Sequence, residues 1–388
     1  MRRCYFDHNA TTPVHPDVLE AYLPALADVY GNASSIHHFG QVARQRLEMA
    51  RRRIAACLAC EANEIVFTSG GTEADNLAIF GVIRPRLPGP VHLITTSIEH
   101  PAVLAATRRL ESEGVSVTYV APCSRGVVDP GDIRRALQPD TALISVMHVN
   151  NETGAIQPVS EIGAIAREAG VPFHVDGVQA PGRIPVRLSE LPVDLYSLSA
   201  HKVYAPKGVG ALFVRSSVAL SPMLFGGRHE RERRAGTENV AGAAAFSHAL
   251  EIALADLDDE SERLCELRNL LEQGITERVP QSRVNCAGAP RVPNTANILF
   301  AGIEGEAVVI SLDLKGFAVS SGSACSSGAV EPSHVLLAMG LTPDAARSSV
   351  RFSLGRENTL AEVDALIEAV ATSAEQLRRL SPACTVRA

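Results

Sequence analysis

Short apolar runs alternate with amphipathic stretches through the first half of the chain, and this alternation most restricts the folds open to it. Strand-like segments fall at Glu64–Thr68, Val91–Thr95, Val115–Val120, Ala142–Met147, Phe173–Val175, Asp194–Ser199 and Ala211–Val214. Helical periodicity intervenes, most clearly at Ala102–Leu110 and Val159–Ala169. Repeated βα units of this length predict an α/β fold, with a mainly parallel sheet covered by helices and ligands gathered at the carboxyl ends of the strands.

The polar residues that could do chemistry fall at those ends. Glu99-His100-Pro101 follows one strand, Asn150-Asn151-Glu152 another, Asp176-Gly177-Val178-Gln179 a third, and Ser199-Ala200-His201-Lys202 a fourth. Lys202 sits in a tight connection between two apolar runs, Asp194–Ser199 and Ala211–Val214. A lysine held in a desolvated pocket has its pKa depressed and becomes an amine able to form a Schiff base with an aldehyde.

Ser69-Gly70-Gly71-Thr72 runs from a strand directly into an apolar-periodic helix. Glycines let backbone N–H groups approach an anion, the helix N-terminus carries partial positive charge, and Thr72 adds a hydroxyl, a combination suited to a phosphate monoester. It lacks the G-K-[ST] ending of a P-loop.

With 388 residues, of which 46% are hydrophobic and 20% charged, the chain can bury a large core and a second, smaller one. A net charge of -7 with dispersed arginines argues against nucleic acid as a partner. No apolar window approaches the length of a membrane span, and the N-terminus has no signal-like apolar run, so a cytoplasmic, membrane-free protein is expected.

Eight scattered cysteines fit reduced thiols better than a disulfide framework. Cys57 and Cys60 form a C-x-x-C pair with no second pair to complete a zinc site. We expect an N-terminal arm over 1–15 packing with the small domain, a large domain over 16–257, and a small α+β domain over 258–388. In the last, Ser320–Gly328 is a run of small residues that would present Cys325 on a mobile, exposed loop.

Taken together, these groups meet the needs of pyridoxal 5'-phosphate. Lys202 would bond the aldehyde carbon, and Asp176 would keep the pyridine nitrogen protonated so that the ring is an electron sink. His100 would lie over the ring as acid/base. Gly71, Thr72, Ser199 and His201 would hold the phosphate, and Asn151 and Gln179 the ring oxygen.

The chain resembles the cysteine desulfurases of the iron–sulfur cluster and nitrogen-fixation branch, within the fold-type-I, class-V aminotransferase superfamily. The resemblance rests on Asp7-His8-Asn9-Ala10-Thr11-Thr12, Ser69-Gly70-Gly71-Thr72-Glu73, Glu99-His100-Pro101, Asn150–Gly154, Ser199–Lys202, Arg233–Asn239, Ser321–Cys325 and Arg351–Gly355. It implies a pyridoxal-phosphate enzyme that converts L-cysteine to L-alanine and holds the sulfur as a persulfide on Cys325. The sulfur would pass to an iron–sulfur scaffold protein or another acceptor.

The same resemblance implies that Thr237 reaches the cofactor phosphate of the neighbouring subunit in a homodimer, and that Arg351 with Asn151 binds the substrate. No intrinsic metal is implied, although Cys325 could ligate an iron–sulfur cluster in passing. Two residues depart from the family pattern, Gly177 where alanine is expected and Ala205 where housekeeping members more often carry glycine. The second tilts the chain toward the nitrogen-fixation members. Alternatives are a selenocysteine lyase or aminotransferase of the same fold, or a non-catalytic sulfur carrier.

Overall fold

The computed structural model describes residues 3–321 and 331–380. The arm opens with β1 (Cys4–Tyr5), then α1 (Pro16–Asp28) and α2 (His38–Cys57) lead into β2 (Ile65–Thr68) and α3 (Gly71–Ile83). There follow β3 (His92–Thr96), α4 (Pro101–Ser112), β4 (Ser116–Val120), α5 (Pro130–Ala136), β5 (Thr141–Met147), α6 (Val159–Ala169), β6 (Phe173–Asp176), β7 (Leu195–Ser199) and β8 (Gly210–Val214).

Seven strands of this set form one sheet in the order β2-β8-β7-β6-β5-β3-β4. All run parallel except β8, which pairs antiparallel with both β2 and β7. Strands β3, β5, β6, β7 and β8 are buried along their whole length, as strands covered on both faces are, and their polar members such as His92 and His174 are hydrogen-bonded inside. The helix α3 crosses β5, β7 and β8 on one face, and its first turn therefore opens beside the carboxyl end of β7.

The chain leaves this sheet through α7 (Val240–Ala255) and α8 (Leu257–Arg278), which meet at a 71° bend. Next come β9 (Ser282–Val284), β10 (Thr295–Phe300), α9 (Gly305–Leu314), β11 (Phe317–Ala318), α10 (His334–Ala338), α11 (Pro343–Arg347), β12 (Ser349–Ser353) and α12 (Leu360–Leu380). β12, β10 and β9 make an antiparallel sheet whose core, with Phe300, Phe352, Leu271 and Ile367, is separate from that of the large sheet. Phe6 of the arm is fully buried in this second core, and β1 pairs in parallel with β11.

The helix α6 has the bounds that its periodicity predicts, whereas other edges shift by a few residues. β11 ends at Ala318, and Ser320 beyond it makes an isolated bridge to Arg351. Short α5, α11 and β9 carry too few residues for a readable period. Among the described residues no single helix is long and apolar enough to cross a membrane.

Candidate active site

The carboxyl ends of β5, β6 and β7 and the first turn of α3 converge on Lys202. Its Nζ donates to the backbone carbonyls of Asn9 and, at 2.8 Å, Ala10. Burial first, then the nearby Arg183 and Arg351 guanidiniums, lower its pKa to about 7, against the pull of Asp176 and Asp7. The arm is therefore part of the site: Asn9 O also accepts from Gln179 Nε2 at 2.9 Å, and Thr12 Oγ1 donates to His201 O at 3.0 Å.

Asp176 ends β6, fully enclosed, and burial raises its pKa despite His100 and Lys202 nearby. Its Oδ1 accepts from Val178 N at 3.0 Å. His100 caps α4, with Nδ1 accepting from Ala102 N at 3.1 Å. Burial lowers its pKa, so the ring is neutral near pH 7. With Nδ1 committed as an acceptor, the neutral ring carries its proton on Nε2 and presents a donor.

At the start of α3, Gly70 and Gly71 face Ser199. A Cβ on Gly71 would lie 2.6 Å from Val178 Cγ2 and 3.5 Å from Ser199 Cβ, so only glycine fits there. Ser199 Oγ is buried without a hydrogen-bond partner among the described residues. An orphan hydroxyl beside a glycine helix N-terminus is what an anion would satisfy. With Asp176 ending β6 and Lys202 just past the end of β7, the donor set fits pyridoxal phosphate.

Other expected residues are placed as follows. Thr72 is exposed in the first turn of α3. His201 Nδ1 lies 3.1 Å from Thr11 Oγ1, which leaves Nε2 for a ligand. Gln179 also interacts with Arg183, so its amide is tied to protein groups at both ends. Asn151 O accepts from Arg351 Nη1 at 3.0 Å, and Arg351 Nη2 lies 2.7 Å from Asp7 Oδ1. Thr237 is exposed on the segment leading into α7. Cys325 lies outside the described residues. Burial pushes the Cys57 and Cys60 thiols up to about 11 and about 12, which makes both poor nucleophiles at neutral pH.

Sequence reading missed the groups behind Asp176. Asp75, His100 and Asp176 bring ligand-type atoms within 4.8 Å of one another. Asp75 is buried on α3 with its pKa raised by burial and by Asp176, and His174 Nε2 lies 3.6 Å from Asp75 Oδ1. His174 also bonds Ser145 at 2.8 Å and Ser197 at 3.0 Å. Glu99, fully buried, accepts from Thr96 Oγ1 at 2.6 Å and Met147 N at 2.9 Å. Asp75 stands two places after Glu73 on α3, and only the packing of that helix on the sheet separates the buried carboxylate from the partly exposed one.

Residues 4–366 match the family model described as Aminotransferase class-V. The chain is 45% identical over 381 residues to the cysteine desulfurase IscS of Dictyoglomus turgidum, covering 98% of this chain and 97% of that protein. A solved NifS-like protein superposes with a TM-score of 0.90 at 36% identity, over 97% of this chain and 100% of the other. A structure described as SspA in complex with cysteine superposes at 0.81 and 36% identity, over 90% of this chain and 98% of that one.

Proposed function

This chain belongs to the class-V aminotransferase family, among relatives named as cysteine desulfurases, and we propose that it converts L-cysteine to L-alanine with the sulfur carried on Cys325. It is a pyridoxal-phosphate enzyme of fold type I. The observation that carries the reading is full-length likeness to desulfurases in a chain whose Lys202, Asp176 and Ser199 form a site fitting the cofactor.

Bound there, pyridoxal phosphate supplies an electron sink for the substrate's Cα. Lys202, its pKa lowered by burial so that the neutral amine is accessible, provides the amine that holds it. Gly71, Thr72, Ser199 and His201 would provide donors for the phosphate, Asp176 would face the ring nitrogen, and Asn151 would bond the ring oxygen, with Gln179, held by Asn9 and Arg183, adding only its second Nε2 hydrogen. Arg351 receives the substrate carboxylate, for which its planar fork is suited.

The Cys325 thiolate attacks the substrate sulfur, an S–S bond forms, and the Cα side chain's C–S bond breaks with its electron pair left on carbon. The proton that the Cys325 thiol gave up completes alanine, and His100 relays it within the site. The balance is L-cysteine plus enzyme thiol giving L-alanine plus enzyme persulfide. No external oxidant or reductant enters.

We further propose a homodimer in which Thr237 meets the partner's phosphate site. Large apolar residues stand exposed on and around α1 and α2, among them Leu23, Leu26, Tyr30 and, at 92% exposure, Ile36, a concentration that suits an interface. The cytoplasm and an iron–sulfur scaffold as sulfur acceptor, with a nitrogen-fixation role, complete the reading.

The test is a visible spectrum of the purified protein followed by alanine and sulfide measured from L-cysteine with a thiol reductant. Cys325→Ser is expected to keep the spectrum and to lose sulfide formation. Substantial retained desulfuration would remove Cys325 from its role, and a colourless, inactive protein would sink the enzyme reading.

A further inference from the structure

The turn after β6 is held from below by Tyr196. This side chain is fully buried, and the ring lies so close to Gly177 that a Cβ there would meet Tyr196 Cε1 at 1.8 Å and Cζ at 2.1 Å. Gly177 does not adopt a left-handed conformation, so glycine is required by space and not by backbone angle. The strand pairing places Asp176 opposite Ser197, and successive side chains alternate across the sheet. Ser197, with His174 and Asp75, therefore occupies one face, and Tyr196 the other.

The hydroxyl of Tyr196 lies 2.8 Å from His148 Nδ1, and the backbone N–H of His148 donates to the carbonyl of Asp176 at 2.9 Å. Gly177 N donates to Ser197 O at 3.2 Å, joining the same turn to the strand that carries Tyr196. A closed loop of contacts results: Asp176 carbonyl to His148 backbone, His148 ring to Tyr196 hydroxyl, and Tyr196 ring to Gly177. An ordinary core tyrosine needs a partner for its hydroxyl but has no need of a missing Cβ beside a functional carboxylate.

We propose that Tyr196 and Gly177 act as one positioning unit for the Asp176 carboxylate, the ring and the absent Cβ fixing the height of the turn and His148 its lateral position. The proposal rests on Asp176 as the partner of the cofactor's ring nitrogen. Tyr196 touches neither cofactor nor substrate, and acts through the peptide it supports. Displacing a positioned group by about an ångström costs on the order of a hundredfold in function, so a unit that resists such movement is consequential.

The holoenzyme tests this through cofactor release and the pH midpoint of its visible band. Tyr196→Phe keeps the ring but frees His148; it is expected to release cofactor several-fold faster and to move the midpoint toward that of Asp176→Asn. Gly177→Ala is expected to release cofactor roughly tenfold faster or more. Adding Tyr196→Val removes the ring atoms that collide with the new methyl and should slow that release again.

A Tyr196→Phe holoenzyme that titrates and releases cofactor like the unsubstituted protein, even with a lowered thermal midpoint, overturns the positioning role. So does a double variant no better than Gly177→Ala. Should Gly177→Ala not fold, Tyr196→Phe decides alone. If Asp176→Asn itself leaves release and midpoint unchanged, the assignment of Asp176 fails and the positioning unit with it; an effect of Asp176→Asn without one of Tyr196→Phe rejects the unit only.

Discussion

Arg351 Nη2 meets Asp7 Oδ1 at 2.7 Å while its Nη1 donates to Asn151 O at 3.0 Å, so one guanidinium joins the arm, β12 and the loop after β5. A buried arginine held on two sides has its remaining donor edge fixed in direction. For a fork that binds a substrate carboxylate, direction matters as much as charge. Asp7→Asn keeps the shape and removes the charge. Hydrogen bonds to charged groups contribute roughly 1.5–3 kcal/mol, so steady-state kinetics should show KM for L-cysteine raised about tenfold, with kcat nearly unchanged. A lowered KM would mean that Asp7 competes with substrate instead of orienting its receptor.

Lys202 gives a pH signature with a definite sign. Its pKa falls from 10.5 unfolded to about 7 folded, so the fold favours the neutral amine. The stability from this group is present above the unfolded value, declines as pH falls from there, and is gone below about 7. The same neutral amine is the form that reacts with an aldehyde. Cofactor recapture by the apoprotein should therefore quicken as pH rises through about 7 and then level, as read by stopped-flow absorbance. Lys202→Ala should lack the visible band of the lysine-bound cofactor at every pH.

Much of this site is visible in the chain itself. Lys202, Asp176, His100 and the Gly71 turn lie at or just after the ends of short, largely apolar strands, and strand ends in a parallel sheet converge whatever the details of packing. Helix α6 was readable because its periodicity is uninterrupted. What was not readable depends on pairs distant in sequence. Nothing around Asp7 or Asn9 announces that an arm will reach Arg351 and Lys202, since a short polar segment has no period to betray its partner. Tyr196 looks like any strand residue until Gly177 lies against it, and Asp75 like a surface aspartate until α3 is laid on the sheet.

Glu99 supplies a stability test independent of the cofactor. Burial raises its pKa from 4.5 to about 8, with Asp176 adding to the rise and the bonds from Thr96 and Met147 opposing it. A raised carboxyl contributes stability that is full below the unfolded pKa and is lost as pH climbs through the folded one. The window is therefore pH 4.5 to about 8. Glu99→Gln imitates the protonated form and has no such dependence. Denaturation of the apoproteins should find the two alike near pH 4.5 and the variant increasingly the more stable toward pH 8, by on the order of a few kcal/mol. Parallel curves would show that Glu99 is ionised in the folded state.

The segment bearing Thr237 is anchored by a buried ion pair. Arg51 Nη1 and Nη2 each lie 2.7 Å from a Glu230 carboxylate oxygen, Arg51 also donates to Ile65 O at 2.7 Å, and Glu230 accepts from Phe67 N at 2.9 Å. Glu230, Arg231 and Glu232 all have positive φ, a conformation that side chains disfavour, and the anchor holds them there. Glu230→Gln leaves Arg51 charged and buried, so it should cost about 3–5 kcal/mol in chemical denaturation. If this segment completes the partner's site, the variant should also weaken the dimer in sedimentation and lose cofactor faster. Arg231→Gly relieves one of the strained positions without touching the anchor, and should instead gain roughly 1 kcal/mol with dimer and cofactor retained. Equal effects from both substitutions would show that the local backbone, not the Arg51–Glu230 pair, governs the segment.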